Sequence, residues 1–116
     1  MRVLVTGATG FVGRALVPTL VSREGIVVRE ALRRHADRKA AVESTVVGEV
    51  HDHTEWGVAL EAVDVVVHLA ARAHVMHERA ADPLAEFRRT NVSGSLHLAE
   101  RAAATGRAPL HLYELY

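Results

Sequence analysis

Apolar runs and polar breaks alternate along this chain with the spacing of strands and helices. Val3-Leu4-Val5 is a short continuous apolar run, so residues 2–6 read as a buried strand. A glycine-rich corner follows. Residues 11–23 then read as a helix with Val12, Leu16 and Leu20 on one face, Pro18 as a site for a kink and Gly25 as its stop. Ile26-Val27-Val28 opens a second strand that runs to Leu32. A polar link or short helical turn over 36–43 leads to a third strand at Thr45-Val46-Val47. Thr54 to Ala62 reads as a short helix with Thr54 as N-cap and Trp56, Ala59, Leu60 and Val63 facing inward. The β-branched run from Asp64 to Leu69 predicts a strand buried on both faces. Asp82-Pro83 opens a long helix that ends at Thr105-Gly106, with Val92, Leu96, Ala99 and Ala103 as its packing stripe. Strands alternating with helices predict a parallel sheet with right-handed crossovers.

The corner between the first strand and first helix is Thr6-Gly7-Ala8-Thr9-Gly10-Phe11-Val12-Gly13. Three glycines there suit a dinucleotide. Gly7 lets the chain turn off the strand, Gly10 lets backbone approach a pyrophosphate, and Gly13 lets the helix pack close to the strand. The helix then aims free N–H groups and its positive dipole end at the phosphates. A phosphate-binding P-loop would need Gly-Lys-Ser/Thr, and Arg14-Ala15 stands there instead. A glycine-rich corner without a ligand is the alternative.

Composition narrows the classes. With 116 residues, 49% of them hydrophobic, the chain suffices for one domain with a core. Fourteen basic residues balance fourteen acidic ones, so no basic field points to nucleic acid. The absence of cysteine excludes disulfides and thiolate metal sites. The histidine pairs His51-x-His53 and His74-x-x-His77 lack a third ligand at zinc spacing, so no metal is expected. No apolar run approaches membrane-spanning length and no signal-peptide pattern is visible, so a soluble cytoplasmic protein is expected.

The end of the second strand bears on the cofactor. An acid about twenty residues past the glycines takes the ribose hydroxyls of NAD, and an arginine nearby takes the 2′-phosphate of NADP. Leu32-Arg33-Arg34-His35 stands there, which favours NADP over NAD. Arg33 and Arg34 read equally as solvated surface charges.

Thr-Gly-Ala-Thr-Gly-Phe-Val-Gly resembles the amino end of extended short-chain dehydrogenase/reductases, the NAD-dependent epimerase/dehydratase family. Val-Asp-Val-Val-Val-His-Leu-Ala-Ala, ending at Ala71, and Thr90-Asn91-Val92-Ser93-Gly94-Ser95 are similar to two further segments of that family. The loop over 72–81 resembles UDP-glucose 4-epimerase-like members. The resemblance implies an α/β fold: the N-terminal half of a Rossmann-type doubly wound parallel sheet, strand order 3-2-1-4, truncated. Residues 1–106 would be a partial NAD(P)-binding domain and 107–116 an atypical tail. It implies cofactor contacts at Gly7, Thr9, Gly10, Phe11, Val12 and Gly13. It further implies contacts at Glu49 and Val50 on the adenine, at Leu69, Ala70 and Ala71 beneath ribose and nicotinamide, and at Asn91 near the nicotinamide. Glu49 reads equally as a surface acid, and Asn91 as a locally bonded helix residue. His68 reads as a packed core histidine.

The chain also departs from the family. No Tyr-x-x-x-Lys occurs; Lys39 is the single lysine, and the tyrosines are Tyr113 and Tyr116. No catalytic residue is therefore assigned, and a nucleotide-sugar substrate is expected only of a full-length relative. Proline and mixed polarity make residues 107–116 a poor central strand. One permitted codon choice for the tail, read one base later, spells Ala-Arg-Arg-Phe-Ile-Phe-Met-Ser-Ser, the strand-plus-serines the family carries; the expectation is a frame change near Gly106. The fourth strand would lack its outer neighbour unless the tail folds back beside it, and an unpaired edge there would invite self-association. Three function classes follow: the cofactor half of an NAD(P)-dependent epimerase, dehydratase or reductase; a stand-alone nucleotide-binding module; and an inert fragment.

Overall fold

The computed structural model describes residues 1–35, 41–71, 82–106 and 110–112. Lys39, the loop over 72–81, Tyr113, Tyr116 and most of the tail lie outside the described residues.

Strands β1 (Arg2–Thr6), β2 (Val27–Leu32), β3 (Glu43–Val46), β4 (Val65–His68) and β5 (Leu110–Leu112) form one sheet in the order β3-β2-β1-β4-β5. Every pairing is parallel. The expected order 3-2-1-4 is present. Part of the tail takes the place beside β4: Leu110–Leu112 pairs with it, with Val66 opposite Leu110. Proline disfavours a central strand because it cannot donate to a ladder on both sides, and β5 is an outer strand here.

β1 is buried on both faces because each face carries its own core. Leu4, Ala31 and Val66 pack under Trp56, Ala59, Leu60, Val63, Leu98 and Ala102. Val3, Val5 and Val28 pack under Ala8 and Val17 on the opposite face. That second layer is helix α1 (Phe11–Val21), which runs through Pro18 and turns Gly13 and Val17 inward. β4 differs from its expectation. Val66 and His68 are buried, whereas Val65 and Val67 on the α1 side are half-buried.

The predicted helix over 54–62 is a series of turns. Leu60 N–H donates to Trp56 O at 2.9 Å, but Glu61 and Val63 donate three residues back, and Ala62 has φ +58°. The Arg29 guanidinium Nη1 donates to the carbonyls of Ala59 (2.9 Å) and Glu61 (2.7 Å) and so holds these turns against β2. Thr54 does not cap a helix; its hydroxyl accepts from His51 N–H at 2.8 Å and donates to Glu49 O at 2.7 Å. The inward residues are as expected, with Trp56, Ala59, Leu60 and Val63 all buried.

The long helix also differs from its expected form. Helix α2 (Pro83–Arg88) is capped by Asp82, whose carboxylate accepts from Ala85 N–H at 3.2 Å. A π-helical segment (Arg89–Gly94) follows, then helix α3 (Ser95–Ala104). The wider π turn shifts the phase of the pattern. Val92 and Leu96 of the predicted stripe are 53% and 60% exposed, and Asn91, Gly94, Leu98 and Ala102 face inward instead. Among the described residues, no helix is long and apolar enough to cross a membrane.

Candidate functional site

The chain order reverses between β1 and β4: β1 leads to β2 on one side, while β4 lies on the other. At such a switch point the loops leaving neighbouring strands diverge and open a crevice at the carboxyl edge. A groove of about 410 Å³ lies there. Its walls come from Thr6–Gly10 after β1, Ala31–Arg34 after β2, Val47–Val50 after β3, Leu69–Ala71 after β4, and Thr90.

Gly7 makes the corner with φ +68°, where L side chains are strained. A Cβ there would meet Ala70 N at 2.6 Å and Leu69 C at 2.7 Å. The turn closes with Gly10 N–H donating to Gly7 O at 3.1 Å. Gly10 then starts α1 without a side-chain cap, leaving the helix's first N–H groups to other acceptors. A Cβ on Gly10 would meet Gly7 O alone, at 3.3 Å, so protein atoms do not fill the space beside it. At Gly13 a Cβ would collide with the Gly7 carbonyl and come within 2.5 Å of Ala8 O. Gly10 is therefore bare toward the groove, and Gly13 is bare toward its own protein.

The predicted residues divide accordingly. Gly7, Thr9, Gly10, Arg33, Arg34, Glu49, Val50, Leu69, Ala70 and Ala71 line the groove together, although they come from four separate loops. Phe11, Val12, Gly13 and Asn91 do not line it. Phe11 is 87% exposed at the start of α1, Gly13 is buried at the helix–strand contact, and Asn91 is buried within the π segment. Sequence reasoning missed Thr6, Ala8, Ala31, Leu32, Val47, Gly48 and Thr90. Most adjoin residues it did find, at strand ends that any such crevice uses. Thr90 stands in a segment that resembles the family, but its place at the groove follows from the π segment, which is a tertiary outcome. A Cβ at Gly94 would meet Val50 Cγ1 at 3.1 Å and His51 Cα at 3.2 Å, so a glycine there seats the π segment against the loop after β3.

At the β2–β3 end of the groove, Arg33 Nη1 stands 3.8 Å from Glu49 Oε1, both side chains about two-thirds exposed. An ion pair that long and that wet contributes little to stability, about 0–1 kcal/mol, so both groups remain available to a ligand. Beneath the groove, Thr6 and His68 are register partners on β1 and β4. The Thr6 hydroxyl lies 2.6 Å from His68 Nδ1 and accepts from Leu69 and Ala70 N–H, each at 3.1 Å. His68 is fully buried, and its Nε2 lies 3.0 Å from Ser95 Oγ. It packs in the core, as expected. Among the described residues, no group of three or more histidine, aspartate or glutamate side chains could hold a metal.

The geometry fits a dinucleotide. It offers a groove with a bare glycine turn at a helix start, guanidinium groups from the loop after β2 and small residues from the loop after β4. Comparison with known proteins points the same way. The NAD dependent epimerase/dehydratase family matches residues 3–113. The chain is similar to a UDP-glucose 4-epimerase of Vibrio cholerae, 40% identical over 104 residues, covering 90% of this chain and 31% of that protein. It is also similar to a 3-diazoavenalumate denitrifying reductase of Streptomyces, 35% identical, covering 91% of this chain and 35% of that protein. Among solved structures it resembles MoeE5 in complex with UDP-glucuronic acid and NAD, with a TM-score of 0.76 and 28% identity. That match covers 97% of this chain and 36% of MoeE5. The chain thus spans about a third of the length of the curated relatives it matches. On the family match and these relatives together, the chain belongs to the NAD dependent epimerase/dehydratase family.

Proposed function

We propose that this chain is the cofactor-binding part of an NAD(P)-dependent nucleotide-sugar epimerase, dehydratase or reductase, and that it does not turn over substrate by itself. The observation that carries this reading is the bare corner at Gly7–Gly10, which opens into the groove at the β1/β4 switch point. In this reading the Gly7–Gly10 turn and the first N–H groups of α1 hold the pyrophosphate. Glu49 and Val50 adjoin the adenine. Arg33 and Arg34 adjoin the adenosine ribose, where a guanidinium fork suits a 2′-phosphate and favours NADP. Leu69, Ala70 and Ala71 let ribose and nicotinamide lie against backbone, with Asn91 behind them. When bound, the cofactor supplies hydride transfer; this chain's residues supply grip and orientation.

The lack of turnover rests on the proton-transfer set. Such chemistry needs a tyrosine whose pKa a nearby lysine lowers, and the sequence holds no Tyr-x-x-x-Lys. Calorimetric titration of the full chain with NAD+ and NADP+ is the test. Binding of either, tighter for NADP+, is expected, with loss of binding in Gly10→Val. In Arg33→Ala the preference for NADP+ should fall. UDP-glucose added with cofactor should give no product; measurable turnover refutes the second half of the proposal. The competing reading, an inert fragment, is favoured by the one-third coverage of relatives. It predicts that neither cofactor binds.

A further inference from the structure

The buried Thr6–His68–Ser95 chain has a hydrogen-bond count that fixes its protons. A threonine hydroxyl offers one hydrogen and two lone pairs. The N–H groups of Leu69 and Ala70 can only donate, and both reach Thr6 Oγ1 at 3.1 Å, the Leu69 N–H being shared with Thr6 O at 3.2 Å. They occupy the lone pairs, so the hydroxyl hydrogen goes to His68 Nδ1, 2.6 Å away. Nδ1 is then the bare nitrogen of a neutral ring. The proton sits on Nε2 and is donated to Ser95 Oγ at 3.0 Å.

We infer that His68, as the neutral Nε2–H tautomer, is a positioning residue that aims the Thr6 hydroxyl and thereby fixes the Leu69–Ala70 wall of the groove. That wall has little freedom on its other side. Its peptide atoms stand where a Gly7 Cβ would come within 2.6 to 2.9 Å of Ala70 N, Leu69 C and Leu69 O. The turn and the wall therefore meet at the root of the groove, and a shift of a few tenths of an ångström changes the groove's width. His68 touches no ligand in this account. Ser95 opens α3, so the same ring ties β1, β4 and α3 together. The effect on the wall stands without a ligand; the effect on affinity rests on the dinucleotide reading above.

The test uses the full chain labelled with nitrogen-15. Imidazole NMR at neutral pH should show His68 with a bare Nδ1 and a protonated Nε2; the opposite tautomer or a doubly protonated ring overturns the inference. Hydrogen exchange at Ala70 N–H, compared with Val5 N–H as a core reporter, then reads the wall. Losing one hydrogen bond should speed Ala70 relative to Val5 by about tenfold in Thr6→Val and His68→Leu. Thr6→Ser keeps the hydroxyl, and His68→Asn keeps an acceptor toward it; both should stay near wild type. Should His68→Leu fail to fold, the Thr6 pair and the tautomer still decide. Equal acceleration at both amides, or none, overturns the inference. Titration with NADP+ comes last: a loss of about tenfold is expected in Thr6→Val, with recovery in Thr6→Ser. If the wild-type chain binds neither NAD+ nor NADP+, the dinucleotide reading fails, while tautomer and exchange still judge His68.

Discussion

Two glycines three residues apart should respond oppositely to the same added methyl group. At Gly13 a Cβ meets the Gly7 carbonyl in a collision and Ala8 C at 2.6 Å. Both neighbours are backbone, so no rotamer change relieves them. Alanine in place of a helical glycine normally gains about 1 kcal/mol. Overpacking against atoms that cannot move aside costs about 1–3 kcal/mol, occasionally more, and here sits at the upper end. The net loss for Gly13→Ala is thus about 2 kcal/mol, or roughly 8 °C in Tm for a domain near this size. At Gly10 the added Cβ meets Gly7 O alone, at 3.3 Å. Replacing a glycine N-cap by alanine costs about 1 kcal/mol at most. Gly10→Ala should therefore melt within about 4 °C of wild type. Its methyl group should instead weaken cofactor binding. Melting by circular dichroism and titration with NAD+ and NADP+ read the two effects separately. A wild-type Tm in Gly13→Ala refutes the packing argument. Unchanged affinity in Gly10→Ala, in a chain that binds, refutes the placement of the pyrophosphate.

The remaining expectations concern the amino edge, the core, the tail and the outer strand. Arg2 donates to Glu43 at 2.9 and 3.1 Å, and this holds the Glu43 carboxyl below its ordinary 4.5 against a partial burial that works the other way; Arg29, at 2.9 Å, adds to the lowering. Because the folded value lies below the unfolded one, the pair stabilises the fold above pH 4.5 and loses that effect as pH falls through the lowered value. Wild type should therefore melt above Glu43→Gln at neutral pH and converge with it in acid; a gap that widens in acid refutes this. Trp56 is 1% exposed, and its indole N–H has no partner among the described residues. Trp56→Phe opens a cavity worth roughly 1 kcal/mol but removes an orphan donor worth about 1–3 kcal/mol. Urea unfolding should show a change between about zero and a gain of about 2 kcal/mol, and a loss beyond about 1 kcal/mol refutes the balance. The gene, read one base later after Gly106, should continue as a family-like strand ending in serines; a frame that closes or loses that pattern refutes the frame change. Among the described residues no strand lies outside β5, so sedimentation should show association that rises with concentration, and a monomer throughout refutes it.

Much of the sheet was legible in order because its central strands must be apolar on both faces. Val3–Val5 and the run ending at His68 have no other use for so many β-branched residues, and a parallel sheet follows from the helices between them. The glycine corner was legible because Gly7 and Gly13 answer steric demands that other residues fail. Two elements were misread for different reasons. The 54–62 segment has a helix's spacing, but its turns close over three residues at Glu61 and Val63, and Ala62 takes φ +58°. The stripe after Asp82 was read at 3.6 residues per turn, and the π segment breaks that period.

What the chain determined by itself is the set of local bargains: which runs must be buried, where the backbone must lack a Cβ, and which side chains are absent. Those follow from each residue's own sterics and hydration. What the tertiary structure alone decided is assembly. It brought Arg33, Glu49, Ala70 and Thr90 to one groove, and it placed His68 between Thr6 and Ser95. Strand order turns distant sequence positions into neighbours, and hydrogen-bond partners chosen across that distance carry no periodic signal along the chain.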